Sequence, residues 1–264
     1  MPVRNAVSSA ASLCVLVVLP GCSGASTVAT HAATLHPVSM RPSTGPASPA
    51  ASPGFTVAGS RPVPPSGSQD TRAQAPGAVC DRTTFAEDET QAMRVADGFA
   101  LAGFPAAADL LGHFLKGTGT EVNYRAGSQI SGEARMSSAF RVVNAEVQQA
   151  ILRQLKAGET RVQLSGSQLP TVAFESANSD LYWAFRGTQG LTVTGQGSRV
   201  KGRYAGALTY VIQDSYGFPA GDSLGGFGPP MRYLQTVCGA PQHAGGAHWF
   251  PDTVTVTLPF SQPA

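Results

Sequence analysis

The 264-residue chain is short of charge, of cysteine and of long apolar runs. Charged residues make up only 13% of it, against about 25% in an ordinary soluble domain. The 18 basic and 16 acidic residues nearly cancel, which argues against a protein that binds nucleic acid through a one-sided electrostatic field. Four cysteines are too few for a disulfide-dense miniature scaffold. No stretch of about 20 apolar residues is present to form a permanent transmembrane helix.

Motifs that identify the large enzyme classes are also missing from the sequence. It has no P-loop, no dinucleotide-binding fingerprint, no HExxH, no CxxC and no GxSxG elbow. We therefore predict no cofactor and no resident metal. Whether the protein is an enzyme at all stays open at this point.

The N-terminus has the layout of an export signal. One cation, Arg4, precedes an apolar run of ten residues, which is typical of a signal peptide. The run ends in Leu19-Pro20-Gly21-Cys22, which resembles the lipobox of bacterial lipoproteins, where the cysteine receives a diacylglyceryl group before cleavage. The resemblance implies that residues 1–21 are removed and that the lipidated Cys22 anchors the mature chain to the cell membrane. The alternative is an ordinary signal peptide cut near Ala25.

Residues 23–79 are rich in proline, serine and glycine, and only four of them are charged. A segment with a single aromatic residue, Phe55, cannot bury enough apolar surface to offset the entropy of ordering it. We therefore expect a disordered tether over residues 22–79, counted from the lipidated cysteine. A globular domain over residues 80–264 should follow, with 14 basic and 15 acidic residues.

The patterning of this domain predicts an α+β fold in which N-terminal helices pack on an antiparallel β-meander. Helical periodicity is clear over residues 88–96, in the stripe after Pro105, and between Phe140 and Leu155. After Gly158 the pattern changes to alternation, which is typical of strands. The predicted strands are residues 160–164, 171–175, 181–186, 191–194, 200–212, 231–237 and 253–258.

Two cysteines remain once the leader and the lipidated residue are set aside. Cys80 and Cys238 lie at opposite ends of a domain destined for an oxidising compartment. We therefore predict one disulfide between them. Two free thiols or a metal-binding pair are the alternatives.

The first candidate catalytic residues lie at the end of a predicted strand. Asp214 and Tyr216 are two residues apart, so the period of a strand places both on one side. A carboxylate and a phenol in this arrangement are suited to general acid–base chemistry. The alternative is an Asx turn in which Asp214 bonds to nearby backbone amides while Tyr216 packs in the core.

The third candidate catalytic residue, His248, lies in a glycine-bearing loop together with His243. This spacing permits joint metal binding but does not require it. A third ligand would be needed, such as Asp222 or Asp252.

A cationic stretch forms the start of the longest predicted strand. Period-two alternation places Arg199, Lys201 and Arg203 on one face, where they could bind anionic lipid headgroups, teichoic acid or another polyanion. The alternative is a solvated face on an exposed strand, which discourages edge-to-edge pairing.

Two segments carry a second resemblance. His113-Phe114-Leu115-Lys116-Gly117-Thr118-Gly119 and Asp214-Ser215-Tyr216-Gly217-Phe218 together resemble a module at the C-terminal end of some bacterial secreted polymorphic toxins. In that module an aromatic-Leu-x-Gly-x-Gly segment precedes strands that end in Asp-x-Tyr-Asp-Phe. The resemblance implies an exported, toxin-derived domain but no substrate, and Gly217 stands where the pattern has its second acid.

These observations predict an extracytoplasmic lipoprotein whose domain binds a cell-wall polymer or an envelope protein. The alternative is a secreted toxin-like or envelope-acting hydrolase that uses Asp214, Tyr216 and His248.

Overall fold

The computed structural model describes residues 54–61, 79–176, 179–186, 188, 190–218, 228–239 and 246–264. The compact unit that contains them runs from Ala50 to Ala264. The predicted leader, the lipidated Cys22 and most of the predicted tether lie outside the described residues. His243 and Asp222 also lie outside them.

A six-stranded mixed sheet forms the centre of this unit. Its strands are β1 (Gly54–Arg61), β2 (Val122–Tyr124), β3 (Arg161–Leu164), β4 (Gly190–Val200), β5 (Arg203–Tyr216) and β6 (Phe250–Pro263). In space they follow the order β2-β6-β5-β4-β1-β3. The four central strands pair antiparallel, whereas β3 lies parallel to β1 and β2 lies parallel to β6. The α+β class is therefore confirmed, and the prediction of an antiparallel meander is wrong because each edge strand pairs in parallel.

The described residues contain six α-helices. They are α1 (Arg82–Leu101), α2 (Pro105–Leu115), α3 (Gln129–Met136), α4 (Ser138–Lys156), α5 (Asp180–Phe185) and α6 (Gly228–Thr236). The prediction that the helices precede the strands is only partly correct, since β1 comes before all of them and α5 and α6 lie between strands. Within the described part of the chain, no helix is both long and apolar enough to cross a membrane.

The two helices with the clearest apolar stripes form as predicted. α2 begins at Pro105, whose missing N–H is harmless in a first turn, and Gly117 ends it with φ +63°. At the start of α4, the side chain of Ser137 accepts a hydrogen bond from the N–H of Phe140. Gly158, with φ +92°, follows its last turn. The predicted stripe of α4 is buried and consists of Phe140, Val143, Val147, Ile151 and Leu155.

Several of the predicted strands are not strands in the structure. Residues 181–186 belong largely to α5, because the Ser179 side chain accepts a hydrogen bond from the N–H of Tyr182 and caps a helix there. Residues 231–237 belong largely to α6, whose two prolines occupy the first turn. Residues 171–175 have no regular secondary structure. The predicted strand over 200–212 is interrupted at its start, because the chain turns before β5 begins.

β1 lies inside the region expected to be a disordered tether. It is hydrogen-bonded between β4 and β3, and its alternate residues Phe55 and Val57 are only 4% and 3% exposed. The tether prediction is therefore wrong for residues 54–61, and the domain does not begin at residue 80. The two apolar side chains were enough to fix an eight-residue strand because both insert into the common core.

The predicted disulfide between Cys80 and Cys238 is confirmed. The two Cα atoms are 5.0 Å apart and 158 residues separate them in sequence. The bond joins the residues just before α1 to the residues just after α6. A second contact at this junction is the hydrogen bond from the N–H of Asp81 to the hydroxyl of Tyr233, at 2.8 Å.

Candidate functional site

Two carboxylates face each other across β5 and β6. Asp214 and Asp252 are directly opposite in the antiparallel ladder, an arrangement that brings Cβ atoms to within about 5.5 Å. Both side chains lie on the buried face of the sheet, where Asp214 is 5% exposed and Asp252 is fully buried. Asp214 accepts a hydrogen bond from the N–H of Ser215 at 2.8 Å. Among the described residues, neither carboxylate oxygen of Asp252 has a hydrogen-bond partner.

The surroundings of Asp252 favour its protonated form. Burial raises the pKa of Asp252 well above the ordinary value, and repulsion from the Asp214 carboxylate raises it further. The backbone N–H groups of Tyr216 and Asp252 are close enough to lower the pKa of Asp252, although neither makes a regular hydrogen bond to its carboxylate, and their effect is smaller. A pair of adjacent carboxylates with these properties can share one proton, which is the state in which one member acts as an acid and the other as a base.

Tyr216, at the end of β5, lies in an aromatic cluster. Its ring stacks on Phe250 with the centroids 5.4 Å apart, and it meets Phe114 and Phe218 edge-on at 6.2 and 5.8 Å. Burial and the nearby Asp252 carboxylate raise the pKa of the Tyr216 phenol, which is therefore neutral at physiological pH. The structure places Tyr216 on the same face as Asp214, as the spacing predicted, but this face is buried against the helices.

His248, the third candidate, lies in the segment that leads into β6. This half-buried residue is close to the loop after α2, because a Cβ at Gly117 would come within 3.4 Å of His248 Cδ2 and 2.2 Å of the Gly246 carbonyl oxygen. Gly117 is therefore required both by its positive φ and by this close approach. His248 lies at the same end of the sheet as Asp214 and Tyr216. Their surroundings differ, because His248 is partly open to solvent whereas Asp214 and Tyr216 are buried.

The segment that resembles the toxin module forms the end of α2 and the loop after it. His113 holds this loop in place, with Nε2 2.8 Å from the carbonyl oxygen of Thr120. The ring of His113 also packs edge-on against Phe250 at a centroid distance of 4.5 Å. The loop is therefore attached to the aromatic cluster around Tyr216.

Asp252 belongs to this buried group, although the sequence suggests it only as a possible metal ligand. The alternation of the last strand contains the missing signal. Side chains two residues apart in a strand lie on the same face, so Asp252 shares the apolar face of Val254 and Val256. By the same rule, Asp214 shares the apolar face of Ile212. Two carboxylates on the apolar faces of two strands indicate a buried acidic pair, but only the register of β5 against β6 shows that they are opposite each other.

Metal binding finds no support in the described part of the chain. No group of three or more His, Cys, Asp or Glu side chains that could hold a metal ion is present there. His243, whose spacing from His248 permits joint metal binding, lies outside the described residues.

The three candidate polyanion-binding cations lie around a β-hairpin turn. Lys201, with φ +49°, and the glycine after it form the two-residue turn that joins β4 to β5. Arg199 is on the helix-covered side, with its guanidinium 5.8 Å from the ring centroid of Tyr204. Arg203 is on the opposite side, where its Nε donates to the hydroxyl of Ser261 at 3.1 Å. The prediction of a common strand face is therefore wrong, because the turn separates the cations, which share the tip of a hairpin instead.

Neither family models, nor curated proteins, nor solved structures match this chain. Function is therefore inferred from the side chains and their positions.

The buried acidic pair has a measurable effect on stability. Because folding raises the pKa of Asp252, its contribution to stability is complete below the ordinary aspartate pKa of about 4 and is lost as the pH rises through the folded-state value. Asp252→Asn removes this titration, and its amide can donate to Asp214. We expect the free energy of unfolding of the variant to be about 1–3 kcal/mol higher than that of the wild type at pH 8, so the variant is more stable there. The difference should be smaller near pH 4.

Urea unfolding at several pH values measures this difference. Asp97→Asn is the matched control, because it makes the same chemical change at an exposed position on α1 and should leave the pH dependence unaltered. A wild type and an Asp252→Asn variant with parallel stability curves between pH 4 and pH 8 would contradict the assignment.

Proposed function

We propose that the protein is an extracytoplasmic lipoprotein, held to the membrane by acyl chains on Cys22, whose α+β domain binds a component of the cell envelope. The observation that carries this proposal is the Cys80–Cys238 disulfide. Disulfides persist in oxidising compartments outside the cytoplasm and are rare inside it. The predicted N-terminal export signal and the lipobox-like motif indicate the same compartment and support the proposal independently.

Binding is favoured over catalysis by the burial of the candidate catalytic side chains. Asp214 and Tyr216 are 5% and 9% exposed, and their surroundings are aromatic. A general acid or base must come within hydrogen-bond reach of its substrate. Side chains in this position contribute to the core, whereas the exposed cations of the hairpin are open to a ligand.

One observation favours the second candidate function, hydrolysis of an envelope component. Asp252 keeps two buried carboxylate oxygens without a hydrogen bond among the described residues, directly opposite a second carboxylate. Ionisable groups with such perturbed pKa values concentrate at functional sites. In this alternative, Asp214 and Asp252 share a proton, while Tyr216 and His248 position the substrate.

One experiment separates the two functions. The full chain is incubated with isolated envelopes, and both retention on the envelopes and release of soluble envelope fragments are measured. The full chain is needed because a fragment over residues 80–264 would lack β1. The binding proposal predicts retention without release, and equal retention for the wild type and for Asp214→Asn.

The same experiment has two contrary outcomes. Release of fragments by the wild type but not by Asp214→Asn would establish the hydrolase and overturn the binding proposal. Absence of retention for both proteins would overturn it as well. Asp97→Asn controls for a general effect of replacing an aspartate.

A further inference from the structure

The topology gathers cations at one end of the sheet, which we call the hairpin end. It comprises the β4–β5 turn, the first residues of β1 and β3, the C-terminus of β6 and the C-terminus of α4. The β-ladder registers place Gly54 beside Ser198 and Arg161 beside Thr56. The Tyr204 hydroxyl donates to the carbonyl oxygen of Leu155 at 2.9 Å, which brings the last turn of α4 to the start of β5.

Among the described residues, six exposed cations lie at this end. They come from the C-terminal part of α4, the start of β3 and the β4–β5 hairpin, and are Arg153, Lys156, Arg161, Arg199, Lys201 and Arg203. Among the described residues, the acidic side chain in the same region is Glu159, and Ala264 donates its N–H to the carbonyl oxygen of Gly202 at 3.0 Å. The charge of the hairpin end is therefore strongly positive, although the residues from 80 to 264 carry one more acid than base.

The tip of the hairpin combines these charges with an apolar side chain. Val200 is 49% exposed and lies between Arg199 and Lys201. The two neighbouring arginines are held in place. Arg199 packs against the ring of Tyr204, and Arg203 Nη2 donates a hydrogen bond to the carbonyl oxygen of Ser261 at 3.2 Å. A rigid cationic tip with an exposed aliphatic side chain suits the interface of a bilayer, where headgroups and the edge of the acyl region meet.

The hairpin end is also where the N-terminal segment joins the domain. β1 starts at Gly54 at this end, opposite Ser198, and Cys22 precedes Gly54 by 32 residues. A lipid on Cys22 would therefore connect the membrane to the end of the domain that carries the cations. The opposite end of the sheet holds the acidic pair and the aromatic cluster.

We propose that the hairpin end docks on the anionic phospholipid headgroups of the membrane to which the chain is attached. This deepens the proposed function and rests on its placement of the chain outside the cytoplasm. The two acyl chains of a diacylglyceryl group are enough for stable attachment, so the docking adds an electrostatic contact that fixes how the domain is oriented on the membrane. It also directs the far end of the sheet, with Tyr216 and His248, away from the membrane.

The test uses the full chain carrying Cys22→Ala, so that no acyl chain contributes. Binding is measured by co-sedimentation with vesicles of phosphatidylcholine alone or of phosphatidylcholine mixed with phosphatidylglycerol. We expect preferential binding to the anionic vesicles that weakens as salt is added. Each cation near such a surface contributes about fivefold to the binding constant. The triple variant Arg199→Gln/Lys201→Gln/Arg203→Gln should therefore bind about 100-fold more weakly.

Two further variants make the test specific. Arg94→Gln/Arg135→Gln/Arg141→Gln removes the same charge from exposed positions on α1, α3 and α4 and should bind nearly as well as the parent. Lys201→Gln alone leaves both arginine contacts in place and puts another long, unbranched side chain at the exposed turn position, and it should weaken binding about fivefold.

Three results would overturn the docking proposal. They are equal binding to both vesicle types, equal losses for the two triple variants, or a preference for a soluble polyglycerolphosphate wall polymer over anionic vesicles. The last result would assign the hairpin end to the cell wall. Because the vesicle experiment needs no acylation, its failure is distinct from a failure of Cys22 lipidation.

Discussion

Replacing Cys80 with alanine lowers the free energy of unfolding by about 5 kcal/mol, the value expected for opening a loop of 158 residues. The cross-link limits the unfolded chain, because it keeps the start of α1 near the end of α6 after the rest of the domain has unfolded. Cys80 is the better position for the test, since it is half-buried while Cys238 is fully buried. A substitution at Cys238 would add the cost of a cavity to the cost of losing the bond.

Urea unfolding with and without a reducing agent measures the effect. The reductant should lower the stability of the wild type to that of Cys80→Ala and leave the variant itself unchanged. A wild type that unfolds at the same urea concentration in both conditions would contradict the presence of the disulfide in the purified protein.

Phe55→Ala lowers the free energy of unfolding by about 3–5 kcal/mol, the usual cost of truncating a buried phenylalanine. The Phe55 ring meets Tyr204 and Phe260 edge-on, at centroid distances of 6.1 and 5.8 Å. It also lies over Gly197, since a Cβ there would come within 2.5 Å of the ring. The loss of this ring would leave a cavity between β1, β4, β5 and β6 and weaken the attachment of β1 and β3 to the sheet.

The adjacent residue provides the control for this prediction. Thr56 belongs to the same strand, but its side chain is exposed, so Thr56→Ala should change the free energy of unfolding by less than about 1 kcal/mol. Thermal or urea unfolding of the full chain measures both variants. If residues 54–61 were part of a tether, the two substitutions would have equally small effects.

The elements that the sequence predicts well are those whose pattern is long and locally complete. α4 repeats its apolar stripe over about four turns, from Phe140 to Leu155, and the burial of β6 alternates from Val254 to Ser261. Both patterns survive in the structure because a single face of each element is buried. α2 adds a proline at its first residue and a glycine beyond its end.

The elements that the sequence misses depend on short signals or on distant partners. Phe55 and Val57 are the only residues that indicate β1. They lie in a long segment rich in proline, serine and glycine, whose composition favours disorder. α5 was predicted as a strand from its aromatic residues, whereas the cap at Ser179 decided the outcome. The parallel pairing of β3 with β1 joins residues about 100 positions apart, and local periodicity carries no information about it.

The candidate site shows the same division. Local spacing correctly put Asp214 and Tyr216 on one side of a strand, but it could not tell whether that side faced solvent or the core. The opposition of Asp214 and Asp252 depends on the register between β5 and β6, which the sequence does not specify. The sequence predicts that Arg199, Lys201 and Arg203 lie on one strand, because the glycine after Lys201 is the only residue there that indicates a turn.

Attachment of the chain through a lipid on Cys22 is the central claim, and the intact mass of the mature protein recovered from membranes tests it most directly. The claim predicts a chain that begins at Cys22 and carries a diacylglyceryl group. It also predicts that Cys22→Ala abolishes this species and its processing. A mature chain that begins downstream of Cys22 without a lipid, with the same mass from the wild type and from Cys22→Ala, would contradict it.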